Sequence, residues 1–306
     1  MSQSERWHLG GNAPEVYERA LVPAIFEPWA SLLVAKAALR EGERVLDVAC
    51  GSGVVTRLAA AQVGAGGYVV GLDLNPGMLA RAGASAPPES AGVEWWEGDA
   101  GALPFDVTSF DTVFCQLGFQ YFSNRQQAAR EMYRVLKPDG RCIVLVWRAL
   151  THSPGFAAVA AALERHVSPA AATVMRAPFV FGDTTDELRG LLVQAGFRTV
   201  RISADVRMVR FASPAALVRH QVAASPIAPH VAEVDDAARD ALIREVTAAM
   251  QSYVNDDGLA FPIEAILHSL IHSRGSEKNV LVFRDSCTEG RDESRPYIPA
   301  AGLVVG

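Results

Sequence analysis

Short apolar runs alternate with helical patterns through the first half of the chain, in the order expected of βαβ units. Five runs predict strands, at residues 44–48, 68–72, 93–97, 110–116 and 141–147. Parallel strands are joined by crossover segments, which are usually helices. The pattern therefore predicts an open, mainly parallel α/β sheet whose strands end at one common edge, where such sheets bind ligands.

The flanking regions follow other patterns. Residues 14–40 have helical spacing of apolar positions, which Pro23 and Pro28 are expected to bend or divide. Two long runs of period two, 197–211 and 258–272, predict the last core strands, with a helical insertion between them. Residues 280–283 predict an extra edge strand. We predict an arm and cap over 1–40, a core over 41–211, the insertion over 212–257, the last core strand over 258–272 and a tail over 273–306.

The composition is that of a globular chain, with 306 residues, 50% hydrophobic and 20% charged, and a net charge of −6. No basic run exceeds two residues, which disfavours a nucleic-acid partner because phosphate contacts need a clustered basic face. The polar N-terminus, without a run of 18 apolar residues, predicts a cytoplasmic protein with no membrane partner. A small-molecule partner fits better, and the oligomeric state stays open, with a homodimer among the options.

Cysteine and histidine spacing gives no sign of a metal centre. The four cysteines show no C-x-x-C spacing, so neither a zinc site nor a disulfide scaffold is predicted. His268 and His272 lie in or at the end of a predicted strand, without a Cys or carboxylate beside them. We therefore predict no metal site.

A glycine turn follows the first predicted strand, in the stretch VLDVACGSG at residues 45–53. Gly51 and Gly53 lack Cβ atoms, so the backbone can turn tightly and lie against a flat ligand. A dinucleotide fingerprint would place a third small residue where Thr56 stands, and Asp47 would repel its diphosphate. A ligand with an ammonium and a sulfonium group and no phosphate suits Asp47 better, which indicates S-adenosylmethionine.

Three further motifs follow in order: VVGLDLNPGML at 69–79, EGDAGALPF at 97–105 and VLKPDGRCIVLVW at 135–147. With the glycine turn, they make the chain resemble the class I S-adenosylmethionine-dependent methyltransferases, of the branch similar to the ubiquinone and menaquinone biosynthesis enzymes. The resemblance implies a Rossmann-like α/β fold with a seven-stranded mixed sheet, helices on both faces and a helical cap. It also implies methyl transfer to O, N or C of a small, apolar or aromatic molecule.

The motifs place the expected cofactor contacts at the ends of strands. Asp73 would accept the ribose hydroxyls, although a helix N-cap is the alternative. Asp99 would accept from the adenine amino group, unless it is only a solvated turn residue. The backbone of Ala100 would donate to the ring between Leu74 and Met78. The other expected cofactor contacts are Ala49, Cys50, Gly51, Gly53 and Gln116.

The resemblance implies that the acceptor side draws on the N-terminal arm, the loop after the fourth strand, the segment after the fifth and the insertion at 213–257. The candidate pocket residues are Trp7, Tyr17, Phe119, Gln120 and Trp147, each of which could equally be an ordinary core residue. His8 and His152 are the candidate bases if the nucleophile must lose a proton.

Two other functions remain open at this point. One is a protein that binds S-adenosylmethionine without transferring methyl, such as a cyclase or a sensor. The other is a nicotinamide-dependent oxidoreductase, which Thr56 and Asp47 disfavour.

Overall fold

The computed structural model describes residues 13–85, 92–182 and 186–272, and the backbone of 281–284. Within these residues, nine strands form one sheet. They are β1 Arg44–Val48, β2 Tyr68–Asp73, β3 Gly92–Glu97, β4 Phe110–Gln116, β5 Leu136–Trp147, β6 Thr199–Phe211, β7 Val254–Asn255, β8 Gly258–Ile271 and β9 Leu281–Arg284.

The sheet has the order β3-β2-β1-β4-β5-β8-β6-β9, with the short β7 paired to β8. The first five strands are mutually parallel, whereas β8 runs antiparallel to both β5 and β6. This confirms the predicted mixed sheet, to which β7 and the predicted edge strand β9 are added. The carboxyl ends of β1, β2, β4 and β5 lie at one edge, where the candidate site is found.

Helices cover both faces of the sheet, as predicted. They are α1 Ala13–Val16, a π-helix Tyr17–Phe26, α2 Glu27–Ala37, α3 Val54–Val63, α4 Pro76–Ala84, α5 Arg125–Val135, α6 Pro154–His166, α7 Pro169–Arg176, α8 Asp186–Ala195, α9 Pro214–Ala223, α10 Ala228–Ala232 and α11 Asp236–Ala249. The sequence also predicts Asp183 or Thr184 as the N-cap of α8, but residues 183–185 lie outside the described residues.

Two apolar layers follow from the alternation of side chains along the strands. Val45 and Val69 contribute to one layer, which α2, α3, α6, α7, α9 and α11 cover. Leu46 and Val70 point the other way, into the layer under α5 and α8. The inner parallel strands β1, β2, β4 and β5 are mainly apolar because both of their faces are buried, whereas the edge strand β3 is partly exposed.

The segment 13–37 is one continuous helical run rather than two pieces. Pro28 lies in the first turn of α2, where its missing N–H does not matter. Pro23 lies inside the π-helix, where hydrogen bonds join i to i+5: the N–H of Glu27 donates to the carbonyl of Val22. The prolines therefore coincide with a change of helix type and not with a break.

By length and composition alone, the helical run Ala13–Ala37 could also cross a membrane. In this structure Trp29, Ala30 and Leu33 have no exposed surface and pack in the layer beside α3. The run is therefore a core helix of the fold described here.

The sequence KPDG at residues 137–140 predicts a helix stop and a tight turn, and the structure differs from this prediction. Strand β5 already begins at Leu136, which pairs with Phe110, and the pairing shifts register before it resumes at Thr112 and Arg141. Asp139 has a φ of 65° within this irregular stretch. The segment is thus both a turn and the start of a strand, a form of bulge that period-based prediction does not resolve.

Candidate functional site

A cavity of about 310 Å³ opens at the carboxyl edge of the parallel strands. Its floor comes from the ends of β1, β2, β4 and β5, and its cover comes from the π-helix, α7 and the α9–α10 segment. Of the predicted cofactor residues, eight line it: Ala49, Gly51, Asp73, Leu74, Met78, Asp99, Ala100 and Gln116. Sequence motifs from four strands therefore meet in one place, although their contact with a cofactor stays a prediction.

The glycine loop after β1 is held by the carboxylate that ends β2. The N–H of Gly51, whose φ is 56°, donates to Oδ2 of Asp73 at 2.8 Å. The other oxygen of Asp73 accepts from the N–H of Asn75, also at 2.8 Å. The helix cap is Asn75, whose side chain accepts from the N–H groups of Gly77 and Met78. Asp73 is therefore not the N-cap, and its carboxylate stands at the cavity wall.

Two predicted cofactor residues, Cys50 and Gly53, are not among those that line the cavity. The N–H of Cys50 donates to the carbonyl of Leu72, and its thiol is buried. Gly53 has a φ of 85°, and a Cβ there would stand 2.4 Å from the ring of Trp95. This glycine is needed for close packing behind the loop, and its expected contact with the cofactor stays a prediction.

Asp47 also points away from the cavity, contrary to the expectation that it meets the ligand. Its Oδ2 accepts from the hydroxyl of Thr56 at 2.7 Å, on the face of the sheet that α3 covers. Burial raises the pKa of Asp47 to about 7, opposed by the Thr56 hydrogen bond. Thr56 stands at the third fingerprint position. Its role there is to donate a hydrogen bond to a buried carboxyl group.

The expected adenine end of the cavity contains Asp99, Ala100, Leu74 and Met78. One oxygen of Asp99 accepts from the N–H of Gly101 at 2.7 Å, which forms the turn after β3. Asp99 is therefore a turn residue that also lines the cavity, and its contact with an adenine stays a prediction.

Gln116 joins the end of β4 to the cover of the cavity. Its Nε2 donates to the carbonyl of Phe26 at 3.1 Å. Its buried Oε1 has no hydrogen-bond partner among the residues that the structure describes. A buried acceptor without a partner costs free energy, so this oxygen marks a place where a ligand donor would be favourable.

On the acceptor side, Tyr17 and Trp147 line the cavity, whereas Phe119 and Gln120 do not. Phe119 is fully buried against Phe122 and Phe181. In the three-residue 3₁₀ turn Phe119–Tyr121, the last residue, Tyr121, faces the cavity instead.

The candidate bases receive no support. His152 lies outside the cavity lining, with its Nδ1 3.7 Å from Oε2 of Glu264. The Glu264 carboxylate also pairs with Arg148 at 2.6 Å. His8 and the predicted pocket residue Trp7 lie outside the described residues.

Residues that the sequence did not single out complete the cover of the cavity. They come from the end of the π-helix, from α6, from helix α7, which was not predicted, from the 3₁₀ turn Ala177–Phe179 after it, and from the predicted insertion. The main ones are Phe26, Phe156, Val174, Met175, Phe179, Gln221, Ser225 and Ile227. They are mostly apolar, and their convergence depends on how the helices pack.

The charged side chains among the described lining residues are all acidic. Among the described lining residues, the charged side chains are Asp73 and Asp99, and no Lys, Arg or His is present. A cation can be balanced in this cavity, whereas a phosphate or carboxylate would meet two carboxylates in a partly dry space.

Ala49 carries a backbone conformation that favours glycine, with a φ of 59°. We expect Ala49→Gly to raise the free energy of unfolding by up to about 1 kcal/mol, because the left-handed strain exceeds the entropy that glycine loses. Urea denaturation measures this. Ala248→Gly, at an exposed position in α11, is the matched control and should lower stability by about 1 kcal/mol. A loss of stability in Ala49→Gly would show that Ala49 is unstrained.

Comparison with known proteins agrees with this geometry. Residues 46–144 match the family model Methyltransf_11, described as "Methyltransferase domain". An uncharacterised protein of Mycobacterium tuberculosis is 36% identical over 143 residues, which are 47% of this chain and 49% of that protein. The chloroplastic 2-phytyl-1,4-beta-naphthoquinone methyltransferase of Arabidopsis thaliana is 39% identical over 121 residues, 38% of this chain and 46% of that enzyme.

The chain spans about half the length of the curated relatives it matches. A crystal structure of a proposed methyltransferase from Bacillus halodurans C-125 superposes with a TM-score of 0.53 at 23% identity, covering 80% of this chain and 98% of that one. That likeness confirms the predicted fold. The family match confirms the predicted resemblance and, with it, S-adenosylmethionine as the expected cofactor.

Proposed function

We propose, from the premise that residues 46–144 form a methyltransferase domain, that this chain transfers a methyl group from S-adenosylmethionine to a small, uncharged, apolar or aromatic molecule. The atom methylated would be O, N or C. The observation that carries the proposal is the cavity, which has two carboxylates, no basic side chain among its described lining residues, and mainly apolar walls elsewhere.

The residues present suit the cofactor. Asp73 and Asp99 each keep acceptor capacity for hydroxyl and amino groups, and Leu74 and Met78 offer apolar contact to a purine. The partnerless Oε1 of Gln116 suits a donor such as the ammonium of the methionine part. The cofactor, when bound, supplies a methyl group already activated on a sulfonium.

The chain's own residues would then orient the methyl acceptor and exclude water from the cavity. Trp147, Phe156 and Phe179 are buried at the cavity wall, and the π-helix closes it from above. Orientation of a nucleophile behind the methyl can lower a barrier by about 7–11 kcal/mol. No base is assigned, because His152 lies outside the cavity lining.

The test uses the full chain, methyl-labelled S-adenosylmethionine and a panel of uncharged ring compounds, analysed in single turnover. Transfer of label to a ring compound, with release of S-adenosylhomocysteine, is the expected result. Label that stays on sulfur while the cofactor binds would favour a cyclase or a sensor. Tight binding of NADH and none of S-adenosylhomocysteine would contradict the proposal.

Asp73 should matter for affinity. We expect Asp73→Ala to weaken S-adenosylhomocysteine binding by about 1.5–3 kcal/mol, the scale of hydrogen bonds to a charged group. The loss of its contact to Gly51 adds to the effect by loosening the loop. Calorimetric titration measures the affinity, with Asp240→Ala on α11 as the control. Equal S-adenosylhomocysteine affinities in the wild type and Asp73→Ala would show that Asp73 does not contribute to cofactor binding.

A further inference from the structure

A tryptophan from the edge strand fills a space that two glycines leave open behind the glycine loop. Trp95 of β3 stands in register with Gly71 of β2, and its indole lies on the face of the sheet that α3 covers. A Cβ on Gly71 would stand 2.5 Å from the Cζ3 atom of this indole, and a Cβ on Gly53 would stand 2.8 Å from the same atom. The ring therefore occupies the space that a side chain at either glycine would need.

The two glycines lack a side chain for different reasons. Gly53 has a φ of 85°, so its backbone conformation by itself favours glycine. Gly71 lies inside β2 and is not among the glycines with a positive φ. A glycine inside a strand commonly marks a place where another group approaches closely. Here that group is the indole of Trp95, with the Thr56 hydroxyl farther away at 3.0 Å from the same Cβ position.

The three elements that meet at the indole all continue into the lining of the cavity within four residues. The lining residues concerned are Gly51 in the glycine loop, Asp73 at the end of β2 and Asp99 after β3. Trp95 is half-buried and does not itself line the cavity. The spacing between the loop and the two strand ends therefore depends on the width of a side chain that lies outside the cavity lining.

We propose that Trp95 is a positioning residue for the cofactor. Its indole is a spacer that holds the glycine loop at a fixed distance from β2, so that Gly51, Asp73 and Asp99 can contact one ligand together. The inference rests on the proposed function, since it takes S-adenosylmethionine as the ligand of the cavity. It adds a residue outside the cavity lining on which the affinity for that ligand depends.

A role in packing alone gives a different expectation. If Trp95 only filled space, its removal would lower the melting temperature and leave the affinity of the folded chain for S-adenosylhomocysteine unchanged. If Trp95 is a spacer, the loop can settle toward β2 when the indole is absent, and the affinity falls. Affinity and melting temperature therefore have to be measured separately for each variant.

The experiment is a double-mutant cycle on the full chain, with S-adenosylhomocysteine affinity measured by calorimetric titration below the melting temperature of every variant. Trp95→Leu removes the spacer, and Gly71→Ala forces the indole out of its place without adding backbone strain. We expect each change to weaken binding about tenfold, within the usual cost of an altered core contact. Because both changes remove the same contact, the double variant should also lose about tenfold, whereas independent effects would multiply to about a hundredfold.

Two further variants keep the cycle informative. Trp95→Phe keeps an aromatic ring in part of the space, so it should lose less affinity than Trp95→Leu, and it replaces the leucine variant in the cycle if that variant does not fold. Gly83→Ala on α4 is the matched control, because a Cβ there would stand 3.7 Å from the same indole, an ordinary contact distance. It should keep the wild-type affinity for S-adenosylhomocysteine.

Wild-type affinity in both single variants, with only a lower melting temperature, would overturn the inference and leave Trp95 as a packing residue. A loss of about a hundredfold in the double variant would also overturn it, since the ring and the glycine would then act independently. A wild-type chain that does not bind S-adenosylhomocysteine would instead contradict the proposed function, and this inference with it.

Discussion

Replacing Gly51 with valine is expected to weaken S-adenosylhomocysteine binding by at least about 100-fold, the upper end of the usual cost of overpacking. The new side chain would fill the space between the loop and the Tyr17 hydroxyl, where a Cβ meets no other atom within 4 Å. Gly51 also has a φ of 56°, which a β-branched residue rarely adopts. Calorimetric titration of the purified variant measures the affinity.

Backbone strain and the filled space need to be separated. Gly182 has a φ of 60°, and a Cβ there would meet nothing within 4 Å. Gly182→Val is therefore the matched control, because it introduces similar strain at a position that does not line the cavity. It should lower the melting temperature and leave S-adenosylhomocysteine affinity unchanged. Retained binding in Gly51→Val would show that the cofactor lies elsewhere.

The second large effect concerns stability, and it comes from His268 in the middle of β8. This histidine has no exposed surface, and neither ring nitrogen has a hydrogen-bond partner in the described part of the chain. It stands in register with Val144 and Ile202, within the apolar layer under α5 and α8. We expect His268→Leu to raise the free energy of unfolding by about 1–3 kcal/mol at pH 7, the penalty of partnerless buried polar groups.

The difference in the free energy of unfolding between His268→Leu and the wild type should increase at acidic pH. Burial lowers the pKa of His268 to about 3, so the folded chain keeps the imidazole neutral. The unfolded chain takes up a proton below about pH 6.5, and wild-type stability then falls as the pH drops toward 3. The leucine variant lacks this loss, so the difference between the two should widen by up to about 1.4 kcal/mol per pH unit.

Urea denaturation at pH 7, 6 and 5 measures the difference. His230→Leu, at a partly exposed position on α10, is the control and should change stability little at any of these pH values. A difference between wild type and His268→Leu that stays constant with pH would show that the ring is hydrated or hydrogen-bonded.

Local sequence was enough to predict the elements that build the floor of the site. Strands β1 to β5 and the glycine turn have strong apolar runs bounded by turn residues, and parallel strands must end at one edge. Asp73, Asp99 and Gln116 could therefore be placed at the cavity from their positions at strand ends. Asn75 could be recognised as a cap because it precedes a proline at the first helical position.

The direction in which individual side chains point was harder to predict from the sequence. Asp47 was expected to face the ligand, yet strand alternation puts it on the same side as Val45, facing α3. That signal was present in the sequence. In contrast, the 3₁₀ turn after β4 rotates each successive side chain by a third of a turn. Which of Phe119, Gln120 and Tyr121 meets the cavity depends on packing against Phe122 and Phe181.

The sequence by itself determined the sheet, its glycine turn and the acidic strand ends, because these depend on short-range periodicity and on residues close together in the chain. Only the tertiary structure decided that Gly53 accommodates Trp95, that a π-helix brings Tyr17 over Gly51, and that α7 and α9 close the cavity. These contacts join segments far apart along the chain. Their geometry is fixed by the packing of whole elements, which no local pattern encodes.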